Sequence, residues 1–312
     1  MERLTENKII LVTRPTRLDE LIARFNTVQQ AQFYIEHLGA DFSDYLAEDH
    51  TYKADVRAAE TELATLGRIQ KLDRSFLPNF IFGKSDVIVV LGQDGLVANT
   101  LKYTPNQLVI GVNPDPSRWD GILLPFQTRD LRKILLEVFA SKRSVKEVTM
   151  AKATLNTGET LYAVNDFFVG PKSHVSARYV IEVDGKNEQQ SSSGIIVSTG
   201  LGSTGWLKSL LAGATAIAGA VSQRDLGLEK RRPISWDADF LYYTVREPFP
   251  SKTSSTSLVF GKITTQSPLR VHSQMPEHGV IFSDGIETDF LRFNSGTQAT
   301  ITLAERKGRL VI

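Results

Sequence analysis

Asp94 is the residue in this chain best placed for chemistry. It stands in Leu91-Gly92-Gln93-Asp94-Gly95, directly after the apolar run Val87-Ile88-Val89-Val90. Such a run reads as a buried strand, and the glycines mark the turn where it ends. Without a Cβ, Gly92 and Gly95 let backbone N–H groups approach a phosphate closely. The carboxylate of Asp94 cannot bind phosphate itself. It can act as a general base, or help hold a cation that travels with phosphate. Together these features suggest phosphoryl transfer to a hydroxyl. Taken alone, Gly-x-Asp-Gly is also an ordinary turn.

A second small-residue loop, Ser198-Thr199-Gly200-Leu201-Gly202-Ser203-Thr204-Gly205, precedes an Ala- and Leu-rich helical stretch over 206–221. Hydroxyls and glycines before a helix N-terminus offer backbone donors and the positive end of the helix dipole to an anion. The plainer reading is a flexible loop with Ser or Thr as the helix cap. Two loops of this kind in one chain point to a shared ligand.

The elements that must position these loops fall into two groups. Apolar runs at 8–12, 87–91 and 108–112 read as strands, and 18–38, 55–66 and 131–139 as helices; a short helix begins near 98–101. Alternating strands and helices indicate a parallel sheet covered by helices, with ligands outside the carboxyl ends of the strands. The Gly92–Gly95 turn sits at one such end and Gly111-Val112-Asn113 at another. After about residue 145 the pattern changes to short runs at 179–183, 194–197, 240–245, 258–263, 280–282 and 299–303, punctuated by Asp184-Gly185 and Asp284-Gly285. This half reads as mostly antiparallel β.

Composition narrows the function classes. The chain has 312 residues, enough for two domains, and a net charge of +1, which implies no strong field for nucleic acid or a membrane surface. With no cysteine, disulfides and thiolate chemistry are excluded. The five histidines show no ligand spacing, so no metal site is expected. No apolar run approaches the ~20 residues of a membrane span. The first residues lack the apolar core of a secretory signal, and the expectation is a cytoplasmic protein.

Several motifs, in order, resemble the NAD kinase family, within the group that includes the diacylglycerol kinases. Gly92-Gln93-Asp94-Gly95 resembles its Gly-Gly-Asp-Gly turn, and Gly111-Val112-Asn113 the next strand and its end. Ala163-Val164-Asn165-Asp166 resembles its Asn-Glu pair, residues 199–206 its Thr-Pro-Thr-Gly-Ser-Thr-Ala-Tyr loop, and Ser283-Asp284-Gly285 a late Asp-Gly turn. The mitochondrial-type branch is the nearest match, through Gly111-Val112-Asn113-Pro114-Asp115-Pro116-Ser117-Arg118, Ser176-Ala177-Arg178-Tyr179, Ser191-Ser192-Ser193-Gly194 and Val245-Arg246-Glu247-Pro248. Ser193 stands where many members have Asp, a feature this branch shares.

The resemblance implies a two-domain fold: an α/β N-terminal domain with a parallel, Rossmann-like sheet over 1–145, and a mostly β NAD-binding domain over 146–312. It implies ATP as phosphoryl donor, Mg²⁺ arriving with ATP, and NAD as the substrate phosphorylated on the 2′-hydroxyl of its adenosine ribose. Asp94 would accept or orient the hydroxyl proton, with Gly92, Gln93 and Gly95 along the phosphates. Asn113, Asn165, Asp166, Gly202, Ser203, Thr204, Trp206 and Ser209 would complete the nucleotide contacts. Trp206, in place of a tyrosine, would stack on a base or pack in the core. A homodimer or higher homo-oligomer is implied, because family sites tend to be completed by a neighbouring subunit. The Lys230-Arg231-Arg232 run is a solvated basic face or an attractor of ATP phosphates.

The sequence also departs from the pattern. Gln93 replaces a glycine, Leu96 a threonine, and Gly200 and Leu201 a Pro-Thr pair. A positive φ at Gln93 would cost on the order of 1–2 kcal/mol. These departures keep two other functions open: a related kinase with a sugar, nucleoside or lipid acceptor, and a catalytically weak NAD- or nucleotide-binding protein.

Overall fold

The computed structural model describes residues 5–223 and 234–312. The Lys230-Arg231-Arg232 run lies outside them. The chain divides into two compact units, one of residues 1–146 with 309–312 and one of residues 147–308.

The first unit is built on β1 (Lys8–Thr13), β2 (Arg68–Asp73), β3 (Val87–Leu91) and β4 (Leu108–Val112). All pair in parallel in the order β2-β1-β3-β4, and Leu310 lies beside Val109 in parallel register. Its helices are α1 (Arg17–Phe25), α2 (Val28–His37), α3 (Ser43–Leu66), α4 (Asp94–Tyr103) and α5 (Leu131–Phe139). Ile9, Leu11, Val89 and Ile110 face α3 and α5 across one core. The alternate residues Ile10, Val12, Ile88, Val90 and Val109 are also fully buried. A parallel sheet covered on both faces needs strands apolar on both sides, which is why these segments read as unbroken apolar runs.

Three expectations change here. The helix expected over 18–38 is two helices, because Asn26 adopts a left-handed φ of 68° and Thr27 caps the second by accepting the Gln30 N–H. The helix expected from 55 starts at Ser43. The helix after the glycine turn starts at Asp94, not near 98.

The second unit contains β5 (Val145–Leu155), β6 (Thr160–Ala163), β7 (Asp166–Pro171), β8 (Ala177–Val183), β9 (Lys186–Ser192), β10 (Ile195–Ser198), α6 (Trp206–Ser222), β11 (Leu241–Val245), β12 (Phe260–Ile263), β13 (Leu269–Ser273), β14 (Gly279–Ser283), β15 (Ile286–Arg292) and β16 (Gln298–Val311). One antiparallel sheet has the order β12-β11-β10-β7-β14-β15; facing it, β16, β13, β8 and β9 pair in that order, with β5 joined to β16 and β6. Both sheets bury alternate residues, such as Phe167, Val169, Tyr179, Ile195 and Ile281, in one core. The opposite side chains of the six-stranded sheet, including Phe168 and Ile196, meet Trp206 and Leu210 of α6. Asp184-Gly185 and Asp284-Gly285 both have two positive φ values and close the β8–β9 and β14–β15 hairpins.

Candidate active site

In the first unit, the buried strand β3 delivers the chain to the sheet edge at Leu91. The N–H of Gly92 continues the ladder by donating to the Val112 carbonyl at 3.2 Å. Gln93 follows with φ −108° and ψ 160°, ordinary extended backbone, and caps α4. The strain that a positive φ would have imposed there does not arise. Its carbonyl accepts the Leu96 N–H at 2.9 Å and the Val97 N–H at 3.3 Å, so the helix begins with Asp94 in its first turn. An acid there complements the helix dipole. Gly95 is exposed, with open space where a Cβ would be. A Cβ on Gly92 would come within 2.8 Å of Leu96 Cδ2, so the glycine makes room for this leucine.

Asp94 is held from outside its own helix. Its Oδ1 accepts the N–H of Leu123 at 2.6 Å. The loop 113–124 that brings Leu123 there is built by glycines and one asparagine. A Cβ on Gly111 would stand 1.9 Å from the Leu123 carbonyl oxygen, and Gly121 has φ +66°. Asn113 is buried and uses both ends of its amide within this loop, donating to the Trp119 carbonyl at 2.9 Å and accepting the Asp115 N–H at 3.0 Å. In this structure the Asn113 side chain shapes the loop.

A network of charges fixes the same loop to α3. Arg118 donates to both oxygens of Asp44 at 2.6 and 3.2 Å, and Arg17 adds a contact at 2.7 Å. Arg118, then Arg17, hold the Asp44 carboxyl well below the usual carboxylate range. Deeper in, Arg14 pairs with Glu48 at 2.8 Å, both buried, and Arg17 also reaches Glu48. Tyr52 accepts the Arg14 N–H at 3.0 Å and donates to the Leu91 carbonyl at 2.9 Å, one residue before the glycine turn. Burial pushes this phenol up to about 12, so it remains a donor at every working pH.

The second unit brings together Asn165, Asp166 and the 199–204 loop. The Thr199 N–H donates to the Asn165 carbonyl at 2.9 Å, and the Thr199 hydroxyl to the Val164 carbonyl at 2.6 Å. A Cβ on Gly202 would lie 2.0 Å from the Asn165 carbonyl oxygen, so this contact admits only glycine. Asp284, from the β14–β15 turn, accepts the N–H groups of Val164, Asn165 and Asp166 at 3.0, 2.6 and 3.3 Å. Three donors satisfy this carboxylate. Asp166 is buried, and burial, followed by repulsion from Asp284, pushes its carboxyl up to about 7.

The hydroxyls of Ser203, Thr204 and Ser209 turn inward on the backbone three or four residues before them. Ser203 donates to the Gly200 carbonyl at 2.7 Å, Thr204 to Leu201 at 3.5 Å, and Ser209 to Gly205 at 3.4 Å. α6 is capped by Gly205, with no side-chain bond, so the Ser or Thr cap expected under the plainer reading is absent. Trp206 lies parallel to Phe168, with centroids 6.0 Å apart and planes 6° apart, and Phe168 stacks in turn on Phe282 at 4.9 Å. Gly170 and Gly194 make room for the Phe168 ring, which would lie 2.7 and 2.8 Å from a Cβ at either. Asp284 and Phe168 were not singled out as site residues by their sequence positions. The Asp-Gly turn signal and the resemblance of Ser283-Asp284-Gly285 to a family turn pointed to the first, and nothing local marks the second.

The fold has known counterparts. Yeast NADH kinase, solved in complex with NADH, superposes with a TM-score of 0.58 over 98% of this chain and 84% of its own, at 16% identity. An NAD kinase from Archaeoglobus fulgidus, solved in complex with ATP, gives 0.56 over 98% and 93%, at 14% identity. The chain has the NAD kinase fold. Within that fold, sequence likeness is local: an NAD kinase from Rhizobium meliloti (strain 1021) is 30% identical over 129 residues, 39% of this chain and 48% of that protein. The match thus spans about half the length of this curated NAD kinase. No protein-family model matches the chain.

Proposed function

We propose that this chain is an NAD(H) kinase that transfers the γ-phosphoryl group of ATP to the 2′-hydroxyl of the adenosine ribose. The observation that carries this reading is the held carboxylate of Asp94, at the carboxyl end of a central parallel strand, in a fold shared with NAD and NADH kinases. Leu123 engages Oδ1, and Oδ2 has no hydrogen bond among the described residues. Asp94 accepts the hydroxyl proton on Oδ2 as the ribose oxygen bonds to the γ-phosphorus and the bond to the ADP oxygen breaks. Gly92, Gln93 and Gly95 run along the phosphates. Mg²⁺ enters as part of the MgATP substrate and offsets phosphate charge. Among the described residues no three His, Asp or Glu side chains gather into a metal site of their own.

Asn165 and Asp166 bind the dinucleotide. With its carboxyl pushed up to about 7, Asp166 can donate as well as accept a hydrogen bond near neutral pH, which suits ribose hydroxyls and ring amides. Gly202, Ser203, Thr204, Trp206 and Ser209 complete the nucleotide contacts in this reading, with Trp206 stacking on a ring. Homodimer formation belongs to the same proposal, and α6 exposes Ile217 and Val221 in its support. Among the described residues no helix is long and apolar enough to cross a membrane.

The reading is tested by incubating the purified protein with MgATP and, separately, NAD, NADH and a panel of sugars, nucleosides and lipid headgroups. NADP or NADPH as the main product upholds it. Phosphorylation of another hydroxyl, with NAD and NADH inert, overturns the acceptor.

A further inference from the structure

In the first unit, Asp44, Glu48 and Tyr52 follow one another at four-residue spacing along one face of α3. Each meets the chain at or beyond the carboxyl end of a parallel strand. Asp44 holds Arg118 of the 113–124 loop, and Glu48 holds Arg14 just after β1. Tyr52 is buried, and its hydroxyl bonds only to backbone. In a parallel ladder the N–H and C=O of one residue face the same neighbouring strand, and successive residues alternate. The Gly92 N–H goes to β4, at the Val112 carbonyl, so the Leu91 carbonyl faces β1. With Val12 opposite Val90, the next rung would join that carbonyl to the Arg14 N–H. The Tyr52 hydroxyl takes both ends of this rung. It accepts the Arg14 N–H at 3.0 Å and donates to the Leu91 carbonyl at 2.9 Å.

The Leu91–Gly92 peptide is thereby held at both ends, its carbonyl by Tyr52 and its N–H by Val112. It is the last peptide of β3, and Asp94 lies two residues beyond it. Gly92 has no Cβ to restrict its torsions, so the plane of this peptide depends on those two bonds. We propose that Tyr52 is a positioning residue for phosphoryl transfer: its hydroxyl sets the plane of the Leu91–Gly92 peptide and, through it, the bearing of Asp94. The catalytic consequence rests on the kinase reading; the hold on the peptide does not. Leu123 grips the Asp94 carboxylate, and Tyr52 fixes the backbone from which that carboxylate projects.

The test compares Tyr52→Phe with Leu63→Ala in the full chain. Phenylalanine keeps the buried ring beneath Arg14, whose guanidinium carbon lies 4.9 Å from the ring centroid, and removes the hydroxyl alone. Leu63 is buried about three turns further along α3, in the core, so its truncation loosens the helix without touching the rung. The first readout is amide hydrogen exchange. In Tyr52→Phe the Gly92 amide exchanges at least about tenfold faster relative to the Val89 amide of the same strand; in Leu63→Ala that ratio is unchanged. The second is steady-state kinetics of NADP formation. In Tyr52→Phe kcat falls at least about tenfold while the KM values for NAD and ATP stay within about threefold; Leu63→Ala keeps kcat within about twofold although it lowers the urea midpoint further. A smaller change in the exchange ratio, a smaller loss of kcat, or an equal loss in Leu63→Ala overturns the proposal. A wild type that forms no NADP removes the kinase reading, and the exchange ratio then decides by itself whether Tyr52 holds the turn.

Discussion

The main-chain N–H of Leu123 lies 2.6 Å from Asp94 Oδ1, and that contact exists because residue 111 has no side chain. A Cβ on Gly111 would overlap the Leu123 carbonyl at 1.9 Å, a distance no backbone tolerates. Gly111→Ala therefore pushes the 121–124 segment off the sheet end. Overpacking of this kind costs about 1–3 kcal/mol. A displacement of about 1 Å at a catalytic group costs about 100-fold in rate. Denaturant unfolding and steady-state kinetics check both. The turnover number should fall more than the ATP and NAD affinities change.

Gln93 gives the opposite expectation. Its φ of −108° is already favourable, so restoring glycine relieves no backbone strain. Glycine at a helix cap differs from other residues by a few tenths of a kcal/mol when no capping bond is lost, and Gln93 makes none. Thermal unfolding of Gln93→Gly should match the wild type within about 0.5 kcal/mol. A gain above about 1 kcal/mol would show that the turn is strained after all.

Asp166 makes stability depend on pH. Its carboxyl is raised from 3.8 to about 7, first by burial and then by Asp284. Between those values the folded chain holds a proton that the unfolded chain has released. The contribution of this group is therefore fully present below pH 3.8 and is lost as pH rises to about 7. Asp166→Asn removes the dependence. The variant should gain on the wild type by a few kcal/mol in going from about pH 4 to pH 8, an order-of-magnitude figure. Urea unfolding at the two pH values measures it. A constant difference would mean that the carboxyl is not raised in the folded protein.

Much of the first unit was legible because a doubly covered parallel sheet leaves an unmistakable trace. The runs ending at Val12, Leu91 and Val112 are apolar without interruption, and the helix over 131–139 matches α5. β2 left no such trace. It is an edge strand, Arg-Ile-Gln-Lys-Leu-Asp, in which Leu72 is the only buried side chain. The first half of α3 was missed for a related reason: its buried residues include Glu48, which faces Arg14 and Arg17 rather than an apolar core. The break at Asn26 did have a signal, an asparagine followed by a threonine cap.

At the candidate site, local motifs were readable and their spatial partners were not. The Asp-Gly pair at 284–285 announced a hairpin, and both φ values are positive as that turn requires. Nothing local announced that Asp284 receives the N–H groups of 164–166, more than a hundred residues away. The same holds for Leu123 and Asp94, and for the glycines that seat Phe168, one of which, Gly194, lies in the turn between β9 and β10. Asn113 shows the converse. Its position after a strand end suggested a ligand contact, and nothing local announced that its amide also bonds Trp119 and Asp115 within the loop.

The central claim is that Asp94 receives the proton of a hydroxyl that attacks ATP. The most direct measurement compares NADP formation from NAD and MgATP by the wild type and by Asp94→Asn, with circular dichroism confirming that both are folded. Asparagine retains the acceptor for Leu123 and cannot take up a proton, so turnover should fall by at least about 100-fold. A variant within about tenfold of the wild type, or a wild type that forms no NADP, would contradict the account.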